Sequence, residues 1–322
     1  MNTRTPFILV TALSACSAQA AILANPTVTT SATAYNGAYV AGNLFDGNRD
    51  SEYASQGQGA NTFVDLDFGS SVTMDRFFVI TRLNNVDVVG EANLILSNNA
   101  DFSFPVATVV TNPSGQAGQG LIFSFTSTTA RYARWDVITS TGGSENLGGV
   151  EMRFLNAPAG SAVAPVSVIG GAAPFNGNYA AANAANNNAG RDGAGNEYAI
   201  NGGVTGPNNL FVDFDFGAVK LVSGFDFFDR MAPSDRTTGF DLIFSNASDF
   251  SSTVATQSYS PGSDWGYSQT FSPVAARYAR LDATSAGGNP GMAEMIFYAV
   301  PETSSALLAG LAGMLTVMRR RR

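Results

Sequence analysis

Asn61-Thr62-Phe63-Val64-Asp65-Leu66-Asp67-Phe68-Gly69 returns 148 positions later as Asn209-Leu210-Phe211-Val212-Asp213-Phe214-Asp215-Phe216-Gly217. Val64, Leu66 and Phe68 face one way while Phe63, Asp65 and Asp67 face the other, and Val212, Phe214 and Phe216 repeat the arrangement. A two-residue period that ends in glycine predicts a strand with one buried face, not a helix. Phe240, Leu242 and Phe244 alternate with Asp241 and Ile243 in the same way. Amphipathic helical stretches are scarce between the two ends of the chain, and Gly, Asn and Pro separate the short runs. The body is therefore predicted to be all-β, built from antiparallel sandwiches.

The repeat extends outward from this strand. Arg82 answers to Arg230 at the same offset, and LILSNNADF at 94–102 matches LIFSNASDF at 242–250. RYAR at 131–134 recurs at 277–280, an offset of 146, and Glu151-Met152-Arg153-Phe154 answers Glu294-Met295-Ile296-Phe297 at 143. Constant order with a drifting offset means two copies of one domain that differ in loop length. Residues 156–167, NAPAGSAVAPVS, are uncharged and rich in Ala, Pro and Gly, and are expected to link copies spanning 21–155 and 168–299. Trp135, on the strand that follows RYAR, is expected in the core.

Composition narrows the chemistry. The 322 residues include no histidine, and the only cysteine is Cys16 near the N-terminus. Disulfides, zinc sites built on Cys or His, and triads needing an imidazole base are excluded. Lys220 is the sole lysine, and what remains for metals is oxygen ligation, calcium first. Without Arg4 and the four terminal arginines the 17 basic residues become 12, and without Glu302 the 25 acidic ones become 24, a net charge of −12 for the body. That balance argues against nucleic acid or an anionic membrane as partner. Paired carboxylates can run glycoside hydrolysis. Asp65 with Asp67 and Asp213 with Asp215, however, are the solvent-facing halves of strands repeated in both copies, which suits a scaffold. The chain is expected not to be an enzyme, with a secreted glycoside hydrolase as the remote rival.

Both ends carry export features. Arg4, the apolar stretch Phe7 to Leu13 and Ala18-Gln19-Ala20 match a secretory signal peptide over 1–20. Leu13-Ser14-Ala15-Cys16 also fits a lipobox, so cleavage after Ala20 competes with lipidation of Cys16. At the other end, residues 300–322 hold Val300-Pro301-Glu302, the 13-residue apolar run Ala306 to Met318, and Arg319, Arg320, Arg321 and Arg322. The run is shorter than the ~20 residues of a comfortable transmembrane helix. The arginines would stay on the cytoplasmic side and leave the body outside. This tail resembles the PEP-CTERM sorting signal, which implies an exosortase-type processing enzyme as partner, transient residence in the inner membrane, and delivery to the cell surface or matrix. Thr303 stands where the motif usually has its second proline.

Each copy resembles the discoidin, or F5/8 type C, domain, a jelly roll of the galactose-binding-like group that includes family 32 carbohydrate-binding modules. The residues that carry the likeness are Asn43-Leu44-Phe45-Asp46-Gly47-Asn48, Ser51-Glu52-Tyr53, the Val-Asp-Leu-Asp-Phe-Gly strand, the Leu-Ser-Asn segment, Arg131-Tyr132-Ala133-Arg134 and Glu151-Met152-Arg153-Phe154. The resemblance implies a structural Ca2+ held by Asp46, Asn48, Ser51 and Glu151, with the Leu44 carbonyl. The competing reading is an Asx-turn in which Asp46 and Asn48 bond their own backbone. In the second copy Asp192 and Glu294 are the corresponding candidates. It also implies a sugar-binding rim with Arg82 and Arg230 donating paired hydrogen bonds to vicinal hydroxyls. Surface salt bridges, such as Arg230 with Asp229 or Asp235, are the alternative. Trp265 and Tyr267 sit in a Gly/Ser-rich loop, where they would either stack on a pyranose or cap the sandwich. The expected function is retention of exopolysaccharide by an exported, non-catalytic protein. A structural or adhesive matrix role without specific sugar binding is the rival.

Overall fold

The computed structural model describes residues 21–300 except 49, 114–116, 157–159, 190–195, 204–208, 231 and 263–264. The predicted leader with Cys16, the candidate Asp192, and the tail from Pro301 through Arg322 lie outside the described residues. Val300 donates its backbone N–H to the Leu221 carbonyl at 2.9 Å. Among the described residues no helix is long and apolar enough to cross a membrane.

The chain forms two antiparallel β-sandwiches. The first contains β1 (Ala21–Ile22), β2 (Thr27–Ser31), β3 (Tyr53–Ala54), β4 (Phe63–Thr81), β5 (Val89–Ser97), β6 (Ala107–Thr111), β7 (Gly120–Ser140) and β8 (Gly148–Asn156). The second contains β9 (Ser161–Val163), β10 (Ser167–Gly170), β11 (Tyr198–Ala199), β12 (Phe211–Phe228), β13 (Thr237–Ser245), β14 (Thr253–Tyr259), β15 (Gly266–Ala286), β16 (Gly291–Met292) and β17 (Glu294–Ala299). Strands β4 and β7 are long because each serves both layers. The first half of β4 pairs with β2 and with the end of β7; after a register shift between Asp67 and Val72, its second half pairs with β8 and the start of β7. Bulges of this kind bend a strand and let it change layers. Val64, Leu66, Leu94 and Trp135 from one layer then meet Phe77, Val79, Met152 and Phe154 from the other in one buried cluster. Strands β12 and β15 repeat the device with a shift between Asp215 and Lys220.

The segment expected as a linker is in part structure. Ser161–Val163 pairs with β17 as Ala21–Ile22 pairs with β8, so β9 is the counterpart of β1 and the second copy begins inside residues 156–167. Composition concealed this because a three-residue edge strand of small residues has no hydrophobic period to read.

Alternation also fails where the copies meet. Every residue from Arg76 to Thr81 is buried. Phe77 and Val79 face their own sandwich core, while Phe78 and Ile80 join Val150, Leu155, Phe228, Trp265 and Ala293 in a separate cluster. Phe78 stacks on Phe228 at 5.4 Å and 22°, and Trp265 tilts against both rings at 4.7 and 5.2 Å. A strand covered on both faces reads as a continuous apolar run, as Phe77-Phe78-Val79-Ile80 does. Beside the rings, the Arg76 guanidinium donates from Nη1 to Asp226 Oδ2 and Tyr298 Oη, and Tyr298 Oη donates to Asp226 Oδ2 at 2.7 Å. Arg76 is 3% exposed and Asp226 fully buried, so the guanidinium compensates the Asp226 charge, with Asp75 also 3.3 Å from Arg76 Nε.

Candidate functional site

At one end of each sandwich a short loop presents two aromatic rings. Tyr35 and Tyr39 meet edge to face at 5.8 Å and 84°; Phe175 and Tyr179 do so at 5.7 Å and 87°. Tyr35 is 49% exposed and Phe175 48%, while Tyr39 and Tyr179 are half-buried. The loops are held by matching polar contacts. Asn36 Oδ1 accepts from the Ala38 N–H at 2.8 Å, and Asn176 Oδ1 accepts from Asn178 at 2.9 Å. Asn43 Nδ2 donates to the Ala38 and Glu52 carbonyls at 2.8 and 3.0 Å, and Asn183 Nδ2 donates to those of Asn178 and Glu197, both at 2.8 Å. Asn at such turns competes with regular structure by bonding nearby backbone.

Under the rings lies the arginine of the second core strand. The Arg82 guanidinium carbon is 5.8 Å from the Tyr39 centroid, and that of Arg230 is 5.5 Å from Tyr179. Each arginine is 5% exposed and gathers three loops. Arg82 bonds Glu52 at 2.9 Å, Asp87 at 3.3 Å and the Asn146 carbonyl. Arg230 bonds Glu197 at 2.9 Å, Asp235 at 2.8 Å and the Asn289 carbonyl at 2.5 Å. Both guanidiniums are tied in salt bridges, buried and not on the surface, and neither stands exposed to donate a fork to a ligand. Their position makes them braces beneath the aromatic rim. Asp229, expected as an alternative partner for Arg230, instead accepts the backbone N–H groups of Arg230 and Thr237 at 2.7 and 2.8 Å. Burial pushes its carboxyl well above the usual range.

Trp265 and Tyr267 lie elsewhere. Trp265 is 2% exposed between the two sandwiches, and Tyr267 is a half-buried residue of β15 paired with Phe227 and packed near Phe225 and Tyr259. Burial raises the Tyr267 hydroxyl above its ordinary pKa. The Gly/Ser-rich surroundings read as a loop because the apolar partners of Trp265, Phe78 above all, come from the other copy. Trp135 is fully buried in the first core.

The calcium candidates are brought together, in hydrogen bonds of their own. Asp46 Oδ1 accepts from Asn48 N–H at 2.8 Å, Asp46 Oδ2 from Ser51 Oγ at 2.6 Å, and Asn48 Oδ1 from Asp50 N–H at 3.0 Å. Leu44 is buried in the 3-10 turn Ala41–Phe45 just before the loop. Glu151 is fully buried; its Oε2 accepts from Gly47 N–H at 2.9 Å and its Oε1 from Arg153. Burial, in spite of Arg153, raises the Glu151 carboxyl to about 8. A divalent cation needs six to eight oxygens free to turn toward it. These oxygens are engaged and a guanidinium already faces the buried carboxylate, so the set does not fit the ion. Among the described residues no group of three or more acidic, His or Cys side chains is placed to hold a metal.

The paired aspartates are also committed. Arg134 grips Asp65 with two bonds of 2.6 and 2.8 Å, and Arg280 grips Asp213 at the same distances. Arg131 holds Asp67 at 2.9 Å twice, and Arg277 holds Asp215 at 2.9 and 3.0 Å. These bonds hold the Asp67 and Asp215 carboxyls below their ordinary range. Asp65, expected to face solvent, is only 8% exposed because Arg134 covers it and Phe102 covers Arg134 at 4.6 Å. Phe250 covers Arg280 at 4.4 Å, and both phenylalanines adopt a left-handed backbone, φ 57° and 55°. All four carboxylates serve as ladder rungs on the sheet.

The rim residues Tyr35, Tyr39, Phe175 and Tyr179 escaped the sequence reading. Their signal was present: Tyr35-Asn36-Gly37-Ala38-Tyr39 returns as Phe175-Asn176-Gly177-Asn178-Tyr179 at an offset of 140.

Residues 12–155 match the model of a family described as a domain of unknown function (DUF7402). No curated protein matches the chain. Among solved structures, the chain is similar to a fucolectin from striped bass (Morone saxatilis) serum, at 15% identity over 86% of this chain and 97% of that one, with a TM-score of 0.34. It is similar to the CBM32-1 and CBM32-2 domains of Clostridium perfringens ZmpB, at 11% identity, 88% and 94% coverage and a TM-score of 0.36. A fucose binding module of Streptococcus pneumoniae matches at 16% identity over 44% of this chain and 96% of that one, TM-score 0.36. At such scores the likeness assigns no ligand to this chain.

Proposed function

We propose that this chain is a non-catalytic binding protein that holds polysaccharide at the aromatic ends of its two sandwiches. The observation that carries the proposal is the duplicated rim: one exposed and one half-buried ring, on an asparagine-tied loop, over a buried arginine brace, in both copies. An aromatic surface held rigid suits the apolar C–H face of a pyranose, because little side-chain freedom is lost on contact. Around the rings, Glu52 and Asp87 outnumber Arg82, and Glu197 and Asp235 outnumber Arg230. A negative surround disfavours acidic sugars, so the ligand is a neutral polymer. The commitment of Asp65, Asp67, Asp213 and Asp215 to arginines supports a binding role over a hydrolytic one.

Affinity electrophoresis in gels containing neutral or uronate-rich polysaccharide tests the reading. Retardation by a neutral polymer, lost in the Tyr35→Ala/Phe175→Ala double variant, is the expected result. Retardation unchanged in that variant rejects the rim, and none in any polymer favours a structural or adhesive matrix role. The export signals read at the two ends support a surface or matrix location reached with an exosortase-type enzyme. Mass spectrometry of the mature termini tests that, and an intact chain recovered from the cytoplasm would overturn it.

A further inference from the structure

The loop Asp46-Gly47-Asn48 and the buried Glu151 meet where the resembled family would hold a cation, and arginine answers their charge. We infer that guanidinium groups hold this loop in place of a metal ion: Arg153 from the same sandwich and Arg236 from the other one. The three elements converge on Gly47. Its N–H donates to Glu151 Oε2 at 2.9 Å, and its carbonyl accepts from Arg236 Nη2 at 3.0 Å. A Cβ on Gly47 would lie 3.7 Å from Arg153 Nη2. Arg153 Nη1 in turn binds Glu151 Oε1, which it reaches because residues two apart on β8 share a face. The Arg153 guanidinium also lies 5.9 Å from the Trp265 ring, so the same cation touches the junction between the copies.

The second copy supplies an internal control. Its 3-10 turn Ala181–Ala185 ends at Asn186 as the turn Ala41–Phe45 ends at Asp46, and Asn187 repeats the positive φ of Gly47, 61° against 68°. There the loop aspartate has become Asn186, and the position of Arg153 is Ile296. Glu294 is left to accept the N–H groups of Asn186 and Asn188 at 3.1 and 3.2 Å. Removal of one loop carboxylate accompanies removal of the arginine, as expected if the guanidinium balances the loop charge. This inference stands apart from the sugar-binding proposal, since none of these residues belongs to the aromatic rims.

The full chain tests it by thermal unfolding with Ca2+ or with chelator. The expected result is a Tm unchanged within about 1 °C; a bound ion at about a hundred times its dissociation constant would raise Tm by several degrees. A saturable rise with Ca2+ in the unaltered chain overturns the inference. In the second arm, Arg153→Met removes the guanidinium and leaves Glu151 and Asp46 in place. That variant is expected to acquire a saturable Ca2+-dependent rise in Tm and Tb3+ luminescence sensitised through Trp265. A folded Arg153→Met protein that shows neither response refutes the exchange. If the variant does not fold, the titration of the unaltered chain still decides.

Discussion

Phe78→Ala separates a welded pair of sandwiches from two that merely share a chain. Phe78 is fully buried outside its own sandwich core: beside Ile80, Val150 and Leu155 of its own copy, its ring lies against Phe228 and Trp265 of the other. In a free first sandwich it would be a solvent-facing ring whose removal changes stability by about 0.5 kcal/mol or less. Buried as observed, its loss removes roughly 150 Å² of apolar surface, worth about 4 kcal/mol at about 25 cal/mol per Å². Truncation of buried phenylalanines costs about 3–5 kcal/mol, in agreement. Urea unfolding of the full chain measures the difference. Phe77→Ala, one position away and facing the sandwich core, serves as a control that loses a similar amount whether or not the copies touch. A double-mutant cycle between Phe78 and Trp265 should return a coupling of about 0.5–1.5 kcal/mol. A Phe78→Ala cost below about 1 kcal/mol beside a full cost for Phe77→Ala would refute the packing.

Three further outcomes are expected. Asp65→Ala should cost about 1.5–3 kcal/mol in urea unfolding, because it strands the part-buried Arg134 beneath Phe102, and should respond little to added salt. Asn43→Ala removes the amide that ties the Ala38 carbonyl of the first rim loop to the Glu52 carbonyl. It should weaken polymer binding by about tenfold, roughly 1.4 kcal/mol in titration calorimetry, while a further Tyr35→Ala adds little because the loop is already loose. Burial raises Glu294 from its ordinary 4.5 to about 8. Between these values the folded chain binds a proton that the unfolded chain releases, so the stability it contributes is lost as pH rises through that window. Glu294→Gln should flatten that slope in denaturant titrations from pH 5 to 8, and an unaltered slope would refute the assignment.

The strand repeat was legible because a one-sided sheet leaves a period of two. Asp65 and Asp213, read as opposite neighbours of Val64 and Val212, do sit on the outer face. Their arginine partners Arg134 and Arg280 were not assigned, since cross-strand register depends on where β4 and β12 bulge. Phe77 to Ile80 could be read as strand but not as interface: the second buried face exists only because another copy covers it. The burial of Trp265 is illegible for the same reason, since Phe78 reaches it from the other copy. The positions of Arg82 and Arg230 are legible in the repeat, and their burial is not. Their acceptors, Glu52 with Asn146 and Glu197 with Asn289, lie tens of residues away in loops whose approach no local pattern reports. The ring loops were missed although the Asn-Gly-x-Tyr echo was visible. Their offset of 140 had drifted from the 148 of the central strand.

The Arg76–Asp226–Tyr298 contact and the stacked rings beside it leave no slack between the copies. A pair of sites on a slack tether can adapt to almost any repeat along a chain, whereas rigid jaws offer a single span. Any polymer engaging both ends at once must present matching units at that span and in that orientation. On the proposed polysaccharide reading, the pitch of the polymer, as much as the identity of its sugar, would decide which ones gain from two-handed contact.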